Sequence, residues 1–426
     1  MHVMIMTAVF PPEIRSAAQL MCELSETLVR RGHFVTVLTS KTRGLIPTVS
    51  EHRGVRVIRI PTLPVHRSHA PAALRGLGQI INCLMYFIAA LFVRHVEVTL
   101  AYSPPLAMGL VGAWLYRLKR IPHLLNVQDL VPQYAIDLGV LKSQNLIRVL
   151  KSLEHAIYRN VQLISVHSPG NAQYMMAEGV PIEKVGVVPN WVDTHRLQPG
   201  QGSDYRQRAG WEGKFVALFG GLLGFAQDVD TIVEAGALLR DHEHIDLVIV
   251  GEGVEKDRLV RKAQALGLSN VHFMPSVSNE KYPSVVSAAN VCLATLQKSL
   301  QCPVVPSKLL GYMAAGKPII AAFPLGGDAP RVVQEAQCGV CVPPGDPEQL
   351  AQAILHASQN PSLCRRWGGN GRRYVLANHD REQVVARYEW LMEGMISCVP
   401  PTPGRSPLED APQVRERAEE FPSLAL

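Results

Sequence analysis

Short runs of consecutive apolar residues, each followed by a segment with helical spacing, constrain the fold of this chain more than any other feature. Residues 3–6 are such a run, residues 17–31 carry apolar positions at helical spacing, and residues 35–38 are the next run. Strands that are apolar throughout, without alternation, are typical of parallel sheets covered by helices on both faces. The pattern therefore predicts an α/β fold made of doubly wound parallel sheets.

Two series of this kind follow one another along the 426 residues. The predicted strands are residues 3–6, 35–38, 55–60, 96–101, 123–127 and 162–166 in the first series, and 215–219, 246–250, 271–274 and 291–294 in the second. A polar, glycine-rich stretch at 199–210 predicts a boundary between domains over 1–198 and 199–380. We expect a C-terminal helix at 381–399, long enough to reach back to the first domain, and a flexible tail at 400–426.

The net charge of +6 and the cysteine pattern limit the partners and the cellular compartment that we expect for this chain. Because no dense run of Lys and Arg is interleaved with aromatics, we predict no nucleic-acid binding, whereas phosphorylated substrates and anionic membranes suit a mildly basic protein. The eight cysteines are scattered and the chain opens without signal-peptide features, so we expect a cytoplasmic protein. Cys338 and Cys341 have zinc or redox spacing, but without a second pair we interpret them as small apolar residues beside a strand.

Residues 80–93 are apolar apart from Asn82. As a helix this run would span about 21 Å, which is less than the bilayer core of about 30 Å, so it is not predicted to cross a membrane. Arg75, Arg94 and His95 flank it. Two interpretations remain, a helix that lies in the membrane interface with its cations towards lipid headgroups, and a helix buried against the N-terminal sheet.

Residues 303–321 predict a loop, a short helix, a glycine stop and a buried strand. Pro303 and Pro306 exclude helix before Ser307, whose side chain can cap a helix running to about residue 315, and Gly316 ends that helix. Lys308 opposes the helix dipole in the first turn, so a bound phosphate explains its charge better than helix stability does. The alternative is an ordinary helix-to-strand connection with a surface lysine.

These segments, with others in the same order, resemble glycosyltransferase family 4, a family with the GT-B fold, and particularly its O-antigen and capsule branch typified by L-fucosamine transferases. The matching segments are FPPE at 10–13, RGHFVTVLT at 31–39, YSPPL at 102–106, QDLVP at 128–132, PNWVD at 189–193, VGEG at 250–253, residues 303–321, and VPPGD at 342–346. The resemblance implies two Rossmann-like domains facing a cleft, with a nucleotide-sugar donor on the C-terminal domain and an acceptor on the N-terminal domain. It also implies sugar transfer with retention of configuration and without a metal.

The chain departs from the family pattern at the donor site. Typical members carry two glutamates, the second of which binds the donor ribose, where this chain has Pro303 and Gly311. The usual cations of the loop after the first donor-domain strand are replaced by Leu222 and Gln227. We therefore expect the donor diphosphate to bind the remaining cations, the N–H groups near Ser307 and the loop after the first donor-domain strand. The cations are Lys308 and, reaching across the cleft, Arg15. The candidates in the loop are Gly221, Gly224 and Gln227.

Two acidic residues are further donor candidates. Glu252, between Gly251 and Gly253 after a strand, can bind the ribose hydroxyls or can be a solvated glutamate in a turn. Asp328 corresponds to an acidic residue near the sugar hydroxyls in relatives, and the alternative is an exposed aspartate in a glycine-rich turn. All three residues of the 251–253 loop are counted among the donor-binding candidates.

In the first domain, Asp129 follows a buried strand, where a carboxylate can orient the acceptor hydroxyl or accept its proton. Capping the next helix is the competing role. Ser103 stands where many relatives have a histidine, and we expect it to contact the acceptor.

The resemblance thus implies a glycosyltransferase that moves a hexose, such as an N-acetylated or deoxy sugar, from a nucleoside diphosphate to a lipid-linked or polysaccharide acceptor of the cell surface. It would need no cofactor and would work at the inner face of the cytoplasmic membrane, in peripheral contact with anionic lipid. Two alternatives remain. One is a degenerate relative that binds a nucleotide sugar or a protein partner without catalysis, and the other is an enzyme similar to sugar-nucleotide epimerases.

Overall fold

The chain forms two compact units in a computed structural model that describes residues 1–13, 15–41, 44, 46–63 and 72–397, with the backbone alone for 72–77. Unit 1 comprises Met1–Gln133, Leu141–Pro189 and the described chain from Glu382 onward, and unit 2 comprises Tyr134–Val140 and Asn190–Arg381. The chain passes to unit 2 after Pro189, ahead of the polar stretch in which the sequence placed the boundary. The tail predicted at 400–426 lies outside the described residues.

An eight-stranded sheet forms the core of unit 1. Its strands are β1 (His2–Thr7), β2 (Phe34–Lys41), β3 (Thr48–His52), β4 (Val55–Pro61), β5 (Val98–Ser103), β6 (His123–Val127), β7 (Leu163–Val166) and β8 (Val185–Val187). They lie in the order β3-β4-β2-β1-β5-β6-β7-β8, and the described pairs are parallel except β3 with β4. The helices along this part of the chain are α1 (Ser16–Arg30), α2 (Ala72–Leu91), α3 (Met108–Lys119), α4 (Gln133–Asp137), α5 (Gln144–Asn160) and α6 (Pro169–Ala177). Of these, α4 belongs to unit 2 from Tyr134 onward.

Unit 2 is built on a six-stranded parallel sheet in the order β11-β10-β9-β12-β13-β14. Its strands are β9 (Phe215–Gly220), β10 (Ile245–Val250), β11 (Val271–Met274), β12 (Val291–Thr295), β13 (Ile319–Ala322) and β14 (Gly339–Val342). The helices are α7 (Ser203–Arg208), α8 (Val229–Leu238), α9 (Lys256–Ala265), α10 (Tyr282–Ala288), α11 (Lys308–Ala314), α12 (Asp328–Glu335), α13 (Pro347–Gln359) and α14 (Pro361–Asn378). Single 3₁₀ turns occur at Ile182–Lys184 in unit 1 and Phe225–Gln227 in unit 2.

Both sheets confirm the predicted doubly wound α/β class. In each, the strand order reverses once, between β1 and β5 in unit 1 and between β9 and β12 in unit 2. Ligands of such sheets bind beyond the carboxyl ends of the strands at this reversal. The sequence missed β3, which is polar and exposed at the sheet edge, and β8, which has only three residues.

The last helix, α15 (Arg381–Ile396), packs within unit 1 from Glu382 onward. Tyr388 is fully buried, and its hydroxyl accepts a hydrogen bond from the Asn126 amide at 2.8 Å. The Glu389 carboxylate accepts one from the Arg31 guanidinium at 2.6 Å and bonds the His33 ring at 2.5 Å. His33 therefore belongs to the turn between α1 and β2 and has a structural partner.

A methyl group at Gly339 should destabilise unit 2, because a Cβ there would lie 1.8 Å from the Ile319 carbonyl oxygen on the neighbouring strand. We expect Gly339→Ala to lower the free energy of unfolding by about 1–3 kcal/mol, the usual cost of overpacking. Urea denaturation followed by circular dichroism measures this. The matched control is Gly394→Ala in α15, where a Cβ would meet nothing within 4 Å and should be neutral or stabilising. Equal midpoints for the two variants would contradict the expected clash.

Candidate active site

The loops that follow β9 and β10, at the carboxyl edge of the unit 2 sheet, contact each other through their backbones. The Gly221 N–H donates to the Val250 carbonyl at 3.0 Å, and the Leu223 N–H donates to the Glu252 carbonyl at 2.9 Å. A Cβ at Gly251 would lie 1.9 Å from the Gly221 oxygen. A Cβ at 253 would likewise lie 2.1 Å from the oxygen of residue 223. The glycines at 251 and 253 are therefore required by this close approach, whatever ligand the loops bind.

The amine of Lys308 lies against the loop after β9. Its Nζ is 3.6 Å from the centroid of the Phe219 ring and donates to the Gln227 side-chain oxygen at 2.7 Å. Gly221 has a φ of +149°, and a Cβ at that position would be 3.1 Å from the same Nζ. Three of the residues predicted to bind the donor, Gly221, Gln227 and Lys308, are thus brought together. Gly224, which precedes the 3₁₀ turn ending at Gln227, closes the same loop.

The Lys308 ammonium is poorly compensated in this position. Desolvation by burial lowers its pKa to about 7. Within the described part of the chain no carboxylate approaches its Nζ to salt-bridge distance, and its compensation comes from an amide oxygen and an aromatic face. Removing a charge from water without an opposite charge is costly, so the position favours a bound anion.

Tyr312 holds the end of β9 in place and was not predicted from the sequence. It is fully buried one helical turn after Lys308, and its hydroxyl accepts from the Gly220 N–H at 2.9 Å and donates to the Gly220 carbonyl at 3.2 Å. Phe219, which lies under the Lys308 amine, was predicted only as a strand residue. The spacing of four between positions 308 and 312 places both on one helix face, which is the signal that could have identified the tyrosine.

The predicted Ser307 cap does not form. Ser307 occupies the N-cap position of α11 but makes no side-chain capping hydrogen bond, because its dihedral angles, φ −58° and ψ −24°, are helical and a capping residue is extended. The predicted stop is confirmed, since Gly316 has a φ of +67° and the Lys317 N–H donates to the Tyr312 carbonyl at 2.9 Å. With only seven residues in α11, the positive charge of the site rests on Lys308 more than on the helix dipole.

The two acidic donor candidates have different surroundings. Glu252 is more than half exposed and accepts from the Lys256 amine at 2.7 Å, which lowers its pKa, so it is a paired surface carboxylate. Asp328 is buried as the first residue of α12 after β13, which corrects the interpretation of an exposed turn aspartate. The guanidinium of Arg331 lies 3.9 Å from its carboxylate. Contact of either residue with a donor stays a prediction.

In unit 1, the ends of β5 and β6 bring Ser103 and Asp129 together. The Gln128 N–H donates to the Ser103 carbonyl at 2.9 Å. Burial raises the pKa of the Asp129 carboxyl to about 6, and Asp129 in turn adds to the burial effect that raises the pKa of the Tyr102 phenol. Since α4 begins only at Gln133, Asp129 does not cap it, and that alternative is wrong. Ser103 is fully buried, a position that does not favour the predicted contact with an acceptor.

Arg15 ends the segment that connects β1 to α1 and lies immediately before α1. Its side chain is more than half exposed, 3.9 Å from the Glu13 carboxylate, and lines a cavity of about 90 Å³ in unit 1. Lys41 and Tyr86 line the same cavity. Arg15 is therefore available to a ligand of unit 1, while its reach to the donor stays a prediction.

Neither cysteine of the 338–341 pair is a thiolate. Burial raises the pKa of both the Cys338 and Cys341 thiols to about 12. Cys341 lies in β14 and Cys338 immediately precedes that strand. These properties agree with their interpretation as small apolar residues beside a strand.

Two family models match the chain, one on each side of the change of unit. The model described as glycosyl transferase 4-like domain matches residues 17–191, and the model described as glycosyl transferases group 1 matches residues 203–374. The chain is a family 4 glycosyltransferase. The predicted family and enzyme class are therefore confirmed, and the GT-B fold accounts for the two Rossmann-like sheets.

Named relatives of this glycosyltransferase extend over much of its length. A glycosyl transferase of Escherichia coli (strain K12), named for colanic acid biosynthesis, is 23% identical over 402 residues, which are 89% of this chain and 96% of that protein. The O-antigen chain mannosyltransferase C of Escherichia coli is 24% identical over 262 residues, 60% of this chain and 67% of that protein. The crystal structure of Anabaena HepE in complex with UDP-glucose has a TM-score of 0.70 at 19% identity, covering 92% of this chain and 99% of that chain.

The desolvated Lys308 ammonium should make the free energy of unfolding of the glycosyltransferase depend on pH. Unfolded lysine titrates near 10.4 and Lys308 near 7, so its destabilising effect is fully present below pH 7 and disappears as pH rises towards 10. We expect Lys308→Met to raise the thermal midpoint most at pH 6.5 and progressively less up to pH 9.5. The control is Lys142→Met at an exposed lysine, whose effect should not vary with pH over this range. A pH-independent effect at position 308 would show that the amine is solvated.

Proposed function

We propose that this glycosyltransferase moves a hexose from a nucleoside diphosphate to a lipid-linked or polysaccharide acceptor in cell-surface glycan biosynthesis, with retention of anomeric configuration. The observation that carries the proposal is the desolvated Lys308 ammonium without a carboxylate partner, beside the glycine loop at the strand-order reversal of unit 2. The named relatives in colanic acid and O-antigen chain biosynthesis support the acceptor class, and the UDP-glucose complex of HepE supports the donor class.

In this proposal the donor diphosphate lies beside Lys308 and the loop from Gly221 to Gly224. Breaking the glycosidic bond leaves negative charge on the departing diphosphate, and a fixed cation in a water-poor site stabilises that charge. Gln227 orients the amine through its side-chain oxygen, and Tyr312 fixes the backbone of the loop at Gly220. The ammonium thus takes the place of a metal ion, and we propose transfer without one.

On unit 1 we propose that Asp129 orients the acceptor hydroxyl and accepts its proton. Its raised pKa of about 6 suits a group that exchanges a proton near neutral pH. Arg15 and the cavity that it lines supply a place for an anionic part of the acceptor. A lipid-linked acceptor places the reaction at the inner face of the cytoplasmic membrane, with peripheral contact with anionic lipid.

No helix in the described ranges is both long and apolar enough to span a bilayer.

The missing family carboxylates favour one second candidate, a protein that binds the nucleotide sugar without transferring it. Gly311 is buried in α11, and a Cβ there would contact Tyr282 and Leu197 at 3.8 and 3.9 Å. As a glycine, residue 311 supplies no carboxylate at the position that holds the ribose in typical members. Transfer from labelled UDP or GDP sugars to lipid extracts separates the two candidates, because the second one binds the donor and releases no product.

Removing the Lys308 charge should weaken donor binding. We expect Lys308→Ala to raise the Kd for the cognate nucleotide sugar by about 10- to 150-fold, which corresponds to about 1.5–3 kcal/mol for a charge-assisted hydrogen bond. Isothermal titration calorimetry with UDP, GDP and their sugars measures this, and Lys142→Ala serves as the exposed control. An unchanged Kd for Lys308→Ala would show that the amine does not contact the diphosphate.

The role of Asp129 should appear in the pH profile of transfer. A base must be ionised, so kcat/KM should rise with pH up to about 6, following the raised pKa of this carboxyl, and should fall again above about pH 7 as Lys308 loses its charge. We expect Asp129→Asn to lower kcat by about 10²- to 10⁴-fold and to abolish the rising limb while the donor Kd is unchanged. If kcat/KM of Asp129→Asn still rises with pH as in the wild type, the pKa near 6 belongs to another group.

A further inference from the structure

Helix α2 carries large apolar side chains on both of its long faces. On the inner face Cys83, Tyr86 and Ala90 are buried, and the Tyr86 hydroxyl donates to the Thr7 carbonyl at 2.9 Å. The outer face is exposed and still apolar. Its exposed fractions are 60% for Ile80, 50% for Leu84, 49% for Ile88 and 80% for Phe92, which follows the helix. The interpretation of a helix buried against the N-terminal sheet therefore describes the inner face and not the outer face.

These four residues, named here the α2 stripe, are spaced four apart and lie along about 18 Å of one helix face. Two more exposed residues extend the surface. Leu63 is 44% exposed and is held beside the helix by two hydrogen bonds with the Asn82 side chain, at 2.7 and 3.1 Å. Leu118 of α3 is 63% exposed, and the neighbouring Lys119 amine donates to the Leu91 carbonyl at the end of α2.

Cations outnumber carboxylates in the chain segment that contains the stripe. Residues 52–128 contain nine Lys and Arg residues and one acidic residue, Glu97, a formal charge of +8 compared with +6 for the whole chain. Exposed members of this set lie at the carboxyl ends of α2 and α3, namely Arg94, Arg117, Lys119 and Arg120. An apolar helix face beside a surplus of cations is the pattern of helices that lie in the interface of an anionic membrane.

We propose that the α2 stripe docks unit 1 on an anionic bilayer surface, with the helix parallel to the membrane and its apolar side chains at the boundary between headgroups and acyl chains. A second copy of this chain is a poorer occupant, because a two-fold interface would place this basic surface against itself. The inference deepens the proposed function, on whose lipid-linked acceptor it rests. It also explains the position of the acceptor cavity, because Gln79, Asn82 and Cys83 of α2 line it together with Arg15 and Lys41.

Vesicle flotation of the full chain tests the docking surface. The probes are vesicles of phosphatidylcholine alone and of equal parts phosphatidylcholine and phosphatidylglycerol. We expect binding to the anionic vesicles to be at least about tenfold tighter and to weaken with added salt. Leu84→Glu combined with Ile88→Glu should reduce that binding about tenfold or more. Val149→Glu, at an exposed apolar residue of α5, is the matched control and should bind as the wild type does.

The contribution of the cations to vesicle binding is tested separately by Arg94→Gln combined with Arg120→Gln, with Arg148→Gln in α5 as the control.

Three outcomes would overturn the proposal. They are equal binding to both vesicle types, no binding by the wild type, and no loss of binding in Leu84→Glu combined with Ile88→Glu. If light scattering shows that the wild type is a dimer and that Leu84→Glu combined with Ile88→Glu is a monomer, the occupant of the stripe is a second copy of the chain. Donor calorimetry on the same samples keeps the two proposals apart. Vesicle binding without donor binding would defeat the proposed function, and donor binding without vesicle binding would defeat the docking surface alone.

Discussion

The close contact between a desolvated ammonium and a glycine backbone determines how the active site of unit 2 is built. Lys308 can reach Phe219 and Gln227 only because Gly221 has no side chain in the way. Gly221 in turn can lie against the next loop only because residue 251 is also a glycine. The free-energy cost of holding the charge there remains until an anion arrives, so binding is strengthened by relief of that cost as well as by the new contact.

The formal charge of the chain is divided unevenly between its parts. Residues 52–128 carry +8, so the remainder is slightly acidic at −2 although the whole chain is basic at +6. The candidate donor site contains the desolvated Lys308, whose effect is short in range and little screened by salt. The basic surface of unit 1 consists of exposed cations, whose attraction extends over about a Debye length and weakens with ionic strength. The two kinds of positive charge thus suit the two proposals, a specific contact with the donor and a general attraction to an anionic surface.

Most of the fold was predictable from the sequence because parallel strands are buried on both faces and appear as continuous apolar runs. The exceptions have physical reasons. Strand β3 is polar at a sheet edge, and β8 is too short to stand out. For Asp328, a donor-binding candidate, the preceding glycines left an exposed turn as the alternative, but α12 begins at this residue and buries it.

The candidate site was predictable in part. Lys308 could be identified because prolines before it and Gly316 after it delimit a short helix. Phe219 and Tyr312 could not, since aromatic residues in apolar segments look like ordinary core residues until the fold shows what touches them. The Ser307 cap failed for a local reason, because the chain is already helical at that residue.

The contribution of α15 to unit 1 has a consequence for how this protein is made. Tyr388 bonds Asn126 of β6, and Glu389 bonds residues in the turn before β2, although more than 250 residues separate each pair in the chain. Unit 2 is therefore an insertion within the sequence of unit 1. During synthesis the sheet of unit 1 emerges first, and the surface that α15 covers stays exposed to water until the residues of unit 2 and of α15 have left the ribosome.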